Sequence, residues 1–213
     1  MVHTGTSILQ QYAAVAREEI EAALDALTAF GPGCPDPLTA AIRHSLLAPC
    51  KRLRPLLVLM SAEACGCTRE AAMPAACAVE LVHTYSLIHD DLPALDNDDL
   101  RRGKPSFHAA FDEATAILAG DGLLTLAFEV LSGGQAASPD RCLRASRELA
   151  RAIGTRKGMI GGQVADLEFE AKPVTPEALA YVHASKTGAL LRASVRTGAI
   201  LALANRPTYN PNK

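Results

Sequence analysis

The 213 residues contain no tryptophan, only four tyrosines and five phenylalanines, and few β-branched runs. With apolar residues at 49%, largely Ala and Leu, this scarcity favours helix over sheet. The six cysteines (34, 50, 65, 67, 77 and 142) include no Cys-x-x-Cys, and the Cys65-Gly66-Cys67 pair reads as a helix-end coincidence. Met1 is followed by polar residues instead of a charged head and an apolar core, so no leader peptide is expected. Reduced thiols in a cytoplasmic protein are the corresponding expectation. A net charge of −2 leaves no broad basic field, which argues against nucleic acid as a partner. No apolar run approaches the roughly 18 residues of a membrane span, and neither an internal repeat nor a domain linker interrupts the chain.

What is present is helical periodicity. It predicts helices over residues 7–29, from the Asp36-Pro37 start, from Pro55 to a stop at Gly66, from Thr68 through residue 91, and over 113–132. One further helix is expected from Ser138-Pro139 through Gln163 and Asp166, with Gly154, Gly158, Gly161 and Gly162 as weak points. A short helix from Thr175-Pro176 and a last one over 186–204 complete a single all-α bundle covering 1–204, with a polar tail at 205–213.

The densest chemistry lies between His89 and Gly103. Asp90, Asp91, Asp96, Asp98 and Asp99 fall within ten positions, followed at once by Arg101 and Arg102. Two carboxylates about 4 Å apart repel by about 4 kcal/mol at a protein-surface dielectric, so such a cluster persists around something positive. Hard oxygen donors without His or Cys select Mg²⁺, usually shared with substrate phosphates, and paired guanidiniums bind phosphate bidentately. The alternative of a solvated acidic loop stands against the apolar stretch 81–88 running directly into the acids. A calcium loop is excluded, because neither register places Gly sixth and Glu twelfth. Pro93 must loosen the helix, which lets Asp96 return towards the cavity that Asp90 faces. Asp98 and Asp99 are expected to pair with Arg101 and Arg102.

The run 90–103 resembles the first aspartate-rich motif of the short-chain trans-isoprenyl diphosphate synthases, the bacterial farnesyl and geranylgeranyl diphosphate synthases. Lys51-Arg52-Leu53-Arg54-Pro55 resembles that family's Gly-Lys-Arg-Leu-Arg-Pro element, with Cys50 in place of the glycine. Gly162 to Leu167 is similar to its Gly-Gln-x-x-Asp-Leu segment, and Lys186 to Leu190 to its Lys-Thr-Gly-x-Leu segment. The resemblance implies an isoprenoid-synthase-type helical bundle, a homodimer, and condensation of isopentenyl diphosphate with dimethylallyl or geranyl diphosphate. It also implies Mg²⁺, with Mn²⁺ as a substitute, held by Asp90 and Asp96 with Asp91 in support. Arg101 then holds the allylic diphosphate, while Lys51, Arg54, His83 and Arg102 hold isopentenyl diphosphate. Lys186, Thr187 and Gln163 stabilise the carbocation or grip the leaving group, and Asp166 binds metal-bound water or Lys186.

Tyr85 and Ser86, one turn below Asp90, are expected to floor the product tunnel. The resemblance then implies farnesyl diphosphate, with geranylgeranyl diphosphate as the near rival. The family's second aspartate-rich motif is absent from these residues. The bundle is therefore expected to be truncated before that motif and to turn over weakly or not at all by itself. The competing expectation is a non-catalytic partner subunit of a full-length synthase.

Overall fold

A computed structural model of the chain describes residues 7–101, 103–133, 137–169 and 173–202. The all-α expectation holds. Helix α1 (Ile8–Leu27) starts in a capping box, with the Ser7 hydroxyl accepting from Gln10 N–H and the Gln10 side chain accepting from Ser7 N–H. After the 3₁₀ turn Gly31–Gly33, α2 (Asp36–Leu46) begins one residue earlier than expected, with Pro35 at the cap position. Helix α3 (Leu53–Ala64) ends at Gly66, whose φ of 87° is the left-handed stop that a side chain would resist. Helix α4 (Arg69–Asp90) is capped by Thr68, and α6 (Glu113–Ser132) by Asp112. Between them lie the two-residue strands β1 (Leu100–Arg101) and β2 (Lys104–Pro105), an antiparallel hairpin, and the single-turn α5 (Phe107–Ala110).

The glycine weak points divide the long helix expected after Ser138 into α7 (Pro139–Ile153) and α8 (Met159–Phe169). Helix α9 (Pro176–Val182) then runs into a π-helical turn, His183–Thr187, before α10 (Gly188–Ala202). Residues 203–213, including the expected polar tail, lie outside the described residues.

Helix α4 is the central element, packed against α3, α6 and α10. Its inward faces are dominated by Ala72, Ala75, Ala76, Ala78, Val79 and Val82, all fully buried, and α6 answers with Ala116, Ala119, Leu123 and Ala127. Small residues on both sides let the helices approach closely. Fully buried Leu59, Leu81, Leu123 and Leu149 each contribute about 1.5–3 kcal/mol relative to exposure. The hydropathy expectation needs one correction, since α4 and α6 are each long and apolar enough to cross a membrane by length and composition. In α4, 67% of that apolar window is buried inside the bundle; in α6 the share is 33%.

Candidate functional site

The chain bends back where Pro93 was expected to force it. Asp96 N–H donates to the Asp90 carbonyl at 2.8 Å and Asn97 N–H to the Leu92 carbonyl at 3.1 Å. Asn97 takes a φ of 52° to close the turn. Asp90 and Asp96 thereby share one electrostatic neighbourhood with Lys186. The Lys186 ammonium lies 2.7 Å from Asp166 Oδ2 and 3.8 Å from Asp96 Oδ2. Gln163 Nε2 donates to Asp96 Oδ1 at 3.3 Å, while its buried Oε1 has no hydrogen-bond partner. Burial pushes the Asp90 carboxyl up from its ordinary 3.8 to about 6; Lys186 opposes that rise and Asp96 adds to it.

Two backbone features seat Lys186. The π turn inserts an extra residue before α10, and its closing bond runs from Gly188 N–H to the His183 carbonyl. On the facing helix α8, a Cβ at Gly162 would come within 2.2 Å of Lys186 N. Only glycine permits that approach, which also brings Gln163 and Asp166 to the same side. Thr187 is exposed at the end of the turn.

A second group forms beside α4. Asp91, 2% exposed, accepts from Arg101 Nε at 2.6 Å through Oδ2 and from Arg101 Nη2 through Oδ1. This corrects two expectations. Both Asp91 oxygens are committed to Arg101, because one residue further along the helix turns the side chain by about 100° from Asp90. Arg101 in turn pairs with Asp91 and not with the exposed Asp98 or Asp99; Asp99 lies 3.5 Å from His108 instead. Arg102 lies outside the described residues.

His83, Asp91 and Arg101 line a cavity of about 540 Å³ that also takes in Leu87, Lys104 and Phe107. Arg54 Nη1 contacts His83 Nε2 at 3.0 Å. A guanidinium can only donate, so His83 accepts there through an unprotonated nitrogen. Burial pulls Arg54 below its ordinary value, with Glu80 opposing, and its buried Nε has no partner. Lys51 is exposed at the start of the same turn.

Tyr85 lies on a third side of α4, 7% exposed, its ring edge-on to His89 with centroids 5.4 Å apart. Burial raises its hydroxyl, with Asp90 and Asp121 adding to the rise. The Ser86 hydroxyl donates to the His83 carbonyl within its own helix. His89, given no role from the sequence, sits in the notch that Gly120 leaves in α6 and contacts the Ile117 carbonyl at 3.2 Å. The close approach at Gly162 was likewise missed, and Arg52, which pairs with Glu21 and Glu80, was not told apart from Lys51 and Arg54. Neither a glycine inside a helix nor one cation among three announces its orientation in sequence.

Among the described residues, no three His, Cys, Asp or Glu side chains lie close enough to enclose a metal by themselves. Asp90 and Asp96 nevertheless fit a hard cation that completes its shell with phosphate oxygens. They are oxygen donors only, and the orphaned Gln163 Oε1 beside them is one more hard acceptor.

The chain is 52% identical over 170 residues to a farnesyl diphosphate synthase of Bacillus subtilis, covering 79% of this chain and 57% of that protein. It is 50% identical over 199 residues to a dimethylallyltranstransferase of Fischerella ambigua, covering 92% of this chain and 57% of that protein. The chain therefore spans little more than half the length of these curated relatives. An apo crystal structure of an FPP/GFPP synthase from Zymomonas mobilis superposes with a TM-score of 0.84 at 40% identity, covering 93% of this chain and 72% of that one. With the polyprenyl synthetase pattern matching residues 35–211, the chain belongs to the polyprenyl synthetase family.

Proposed function

We propose that this chain carries the substrate site of a trans-prenyltransferase that joins isopentenyl diphosphate to an allylic diphosphate, giving farnesyl diphosphate. The observation that carries the reading is Lys186, held between Asp166 and Asp96 while Gln163 binds Asp96. The acid run, the Gly-Gln segment and the Lys-Thr segment thus converge on one point from three places in the chain.

In this reaction the allylic C–O bond breaks, and the diphosphate leaves with the bonding pair. The double bond of isopentenyl diphosphate attacks the resulting cation, a C–C bond forms, and a proton is lost. Asp90 and Asp96 would hold Mg²⁺, or Mn²⁺ in its place, which supplies positive charge to the departing diphosphate. Lys186 adds a fixed positive charge to the same region, its ammonium oriented by Asp166, and Thr187 and Gln163 add dipoles around the cation. Arg101 is oriented by Asp91 and keeps further N–H donors for the allylic diphosphate. Lys51, Arg54, His83 and Arg102 receive isopentenyl diphosphate. Tyr85 and Ser86 limit product length, with geranylgeranyl diphosphate as the product of a less obstructed tunnel.

The exposed Ile117 and Leu118 on the apolar helix α6 suit a homodimer contact. A cytoplasmic location accords with this use of soluble diphosphates. Losing one preorganised donor costs about 10²–10³ in rate, so without the second acidic motif this chain alone is expected to be weakly active or inactive. A second reading, a partner subunit that acts on a complete synthase, is favoured by exposed Ile160 and Val164 on α8 and Val195 on α10.

Pyrophosphate release and product analysis with isopentenyl and dimethylallyl or geranyl diphosphates and Mg²⁺ test the reading. Slow farnesyl diphosphate formation that vanishes in Lys186→Met supports it, and activity appearing only on mixing with a complete synthase supports the partner subunit. No Mg²⁺-dependent diphosphate binding and no product in either format would refute both.

A further inference from the structure

Between Lys51 and Arg54 stands a third cation with a different orientation. Arg52 is 3% exposed and adopts φ 49°, ψ 38°, a left-handed conformation unfavourable for any residue with a Cβ. Its Nε and Nη2 donate to the two Glu21 oxygens at 2.7 and 2.9 Å, and its Nη1 donates to Glu80 Oε1 at 2.7 Å. Nη2 also donates to the Leu46 carbonyl at 2.6 Å. One guanidinium therefore ties the turn before α3 to α1, α2 and α4 at once.

Two carboxylates already match its charge and four of its five N–H bonds are used, so Arg52 is poorly placed to bind an anion itself. Stability alone explains it badly too, since replacing a buried ionic cluster with apolar residues of similar volume is often neutral or stabilising. Glu80 lies one helical turn before His83, so the carboxylate that grips Arg52 sets the turn in register with the helix carrying His83. On the other side of Arg52 the same turn leaves Lys51 exposed and brings Arg54 to His83 at 3.0 Å.

We propose that Arg52 is a positioning residue: with Glu21 and Glu80 it fixes the left-handed turn that holds Arg54 at His83 and keeps Lys51 exposed three residues before it, as one preorganised diphosphate cradle. The inference rests on the reading of Lys51, Arg54 and His83 as diphosphate-binding groups.

The test uses inorganic pyrophosphate with chelator, so that the metal-dependent site at Asp90 and Asp96 stays silent, titrated by calorimetry into the wild-type chain, Arg54→Met, the double variant Arg52→Met/Glu80→Leu, and the triple variant combining all three changes. Thermal melting of each is recorded alongside. Arg54→Met is expected to weaken binding about tenfold or more, as loss of a charged hydrogen bond does. The double variant, with its buried charges removed together, is expected to melt cooperatively near the wild-type temperature and still bind about tenfold more weakly. Adding Arg54→Met to it should cost little further, because an Arg54 that is no longer presented has nothing left to lose.

A purely structural Arg52 predicts the opposite: once stability is retained, affinity is retained as well. Wild-type affinity in the folded double variant, or full additivity in the triple, overturns the positioning role alone. Unchanged affinity in Arg54→Met, or no binding by the wild type, overturns the cradle reading and this inference with it. If the double variant melts without cooperativity, Arg52→Lys decides instead. It keeps the charge but cannot hold Glu21 through two nitrogens, so it should weaken binding several-fold, and wild-type affinity there overturns the proposal.

Discussion

Asp90→Asn should make the metal-free protein more stable while removing the chemistry. In the folded chain the Asp90 carboxyl sits near 6 against an ordinary 3.8, chiefly because burial disfavours its charged form. A shift of about two units corresponds to about 3 kcal/mol. Partial solvent access to the half-buried side chain reduces this to about 1–2 kcal/mol. The sign follows from proton linkage. Between pH about 4 and about 6 the folded state keeps a proton that the unfolded state has released, so stability falls as pH rises through that window. Asparagine does not titrate and is nearly the shape of the protonated acid.

Urea unfolding at pH 3.5 should therefore find wild type and Asp90→Asn about equal. By pH 7.5 the variant should be about 1–2 kcal/mol more stable, other titrating groups cancelling in the difference. With pyrophosphate already present, adding Mg²⁺ should raise the wild-type midpoint at pH 7.5 further and leave that of the variant unmoved. A variant that is less stable at pH 7.5, or a difference that does not change with pH, would refute the reasoning.

Three further outcomes follow from the packing. Asp91→Asn leaves the Arg101 guanidinium without its carboxylate in a mostly buried pair and should cost about 2–3 kcal/mol in urea unfolding. Asp96→Asn, at a half-buried position, should cost much less. Gly162→Ala drives a Cβ into the Lys186 backbone, which cannot yield as a flexible side chain would. It should lower stability by about 1–3 kcal/mol and weaken Mg²⁺-pyrophosphate binding, whereas Gly33→Ala, with open space around it, should do neither. Tyr85→Ala should shift the product, in a catalytically competent form, from fifteen carbons to longer chains by chromatography. An unchanged product would remove Tyr85 as the stop.

Much of this arrangement could be read from the chain because the relevant physics is local. Thr68 and Thr175 announce their helices by capping, and each side chain does accept a backbone N–H, as Asp112 does at the start of α6. Pro93 announced the bend that returns Asp96 to Asp90, since a missing N–H and a carbonyl clash do not depend on tertiary context. The division between α7 and α8 was harder to read, because scattered glycines weaken a helix without saying where it breaks.

The hairpin 100–105 escaped for another reason: two-residue strands carry no period. The partners of Asp91 and Arg52 escaped because adjacent like charges are indistinguishable until helix rotation or a left-handed residue sends them to different sides. Gly162 is the clearest case, since its role depends wholly on what packs against it from 24 residues away.

The most direct test of the central claim is calorimetric titration of geranyl diphosphate into the wild-type chain and into Asp90→Asn/Asp96→Asn, each with Mg²⁺ and with chelator. The account predicts that Mg²⁺ tightens binding by the wild type at least about tenfold and does nothing for the double variant, which binds no better than the wild type does with chelator. Equal binding with chelator, or full affinity in the double variant, would contradict it.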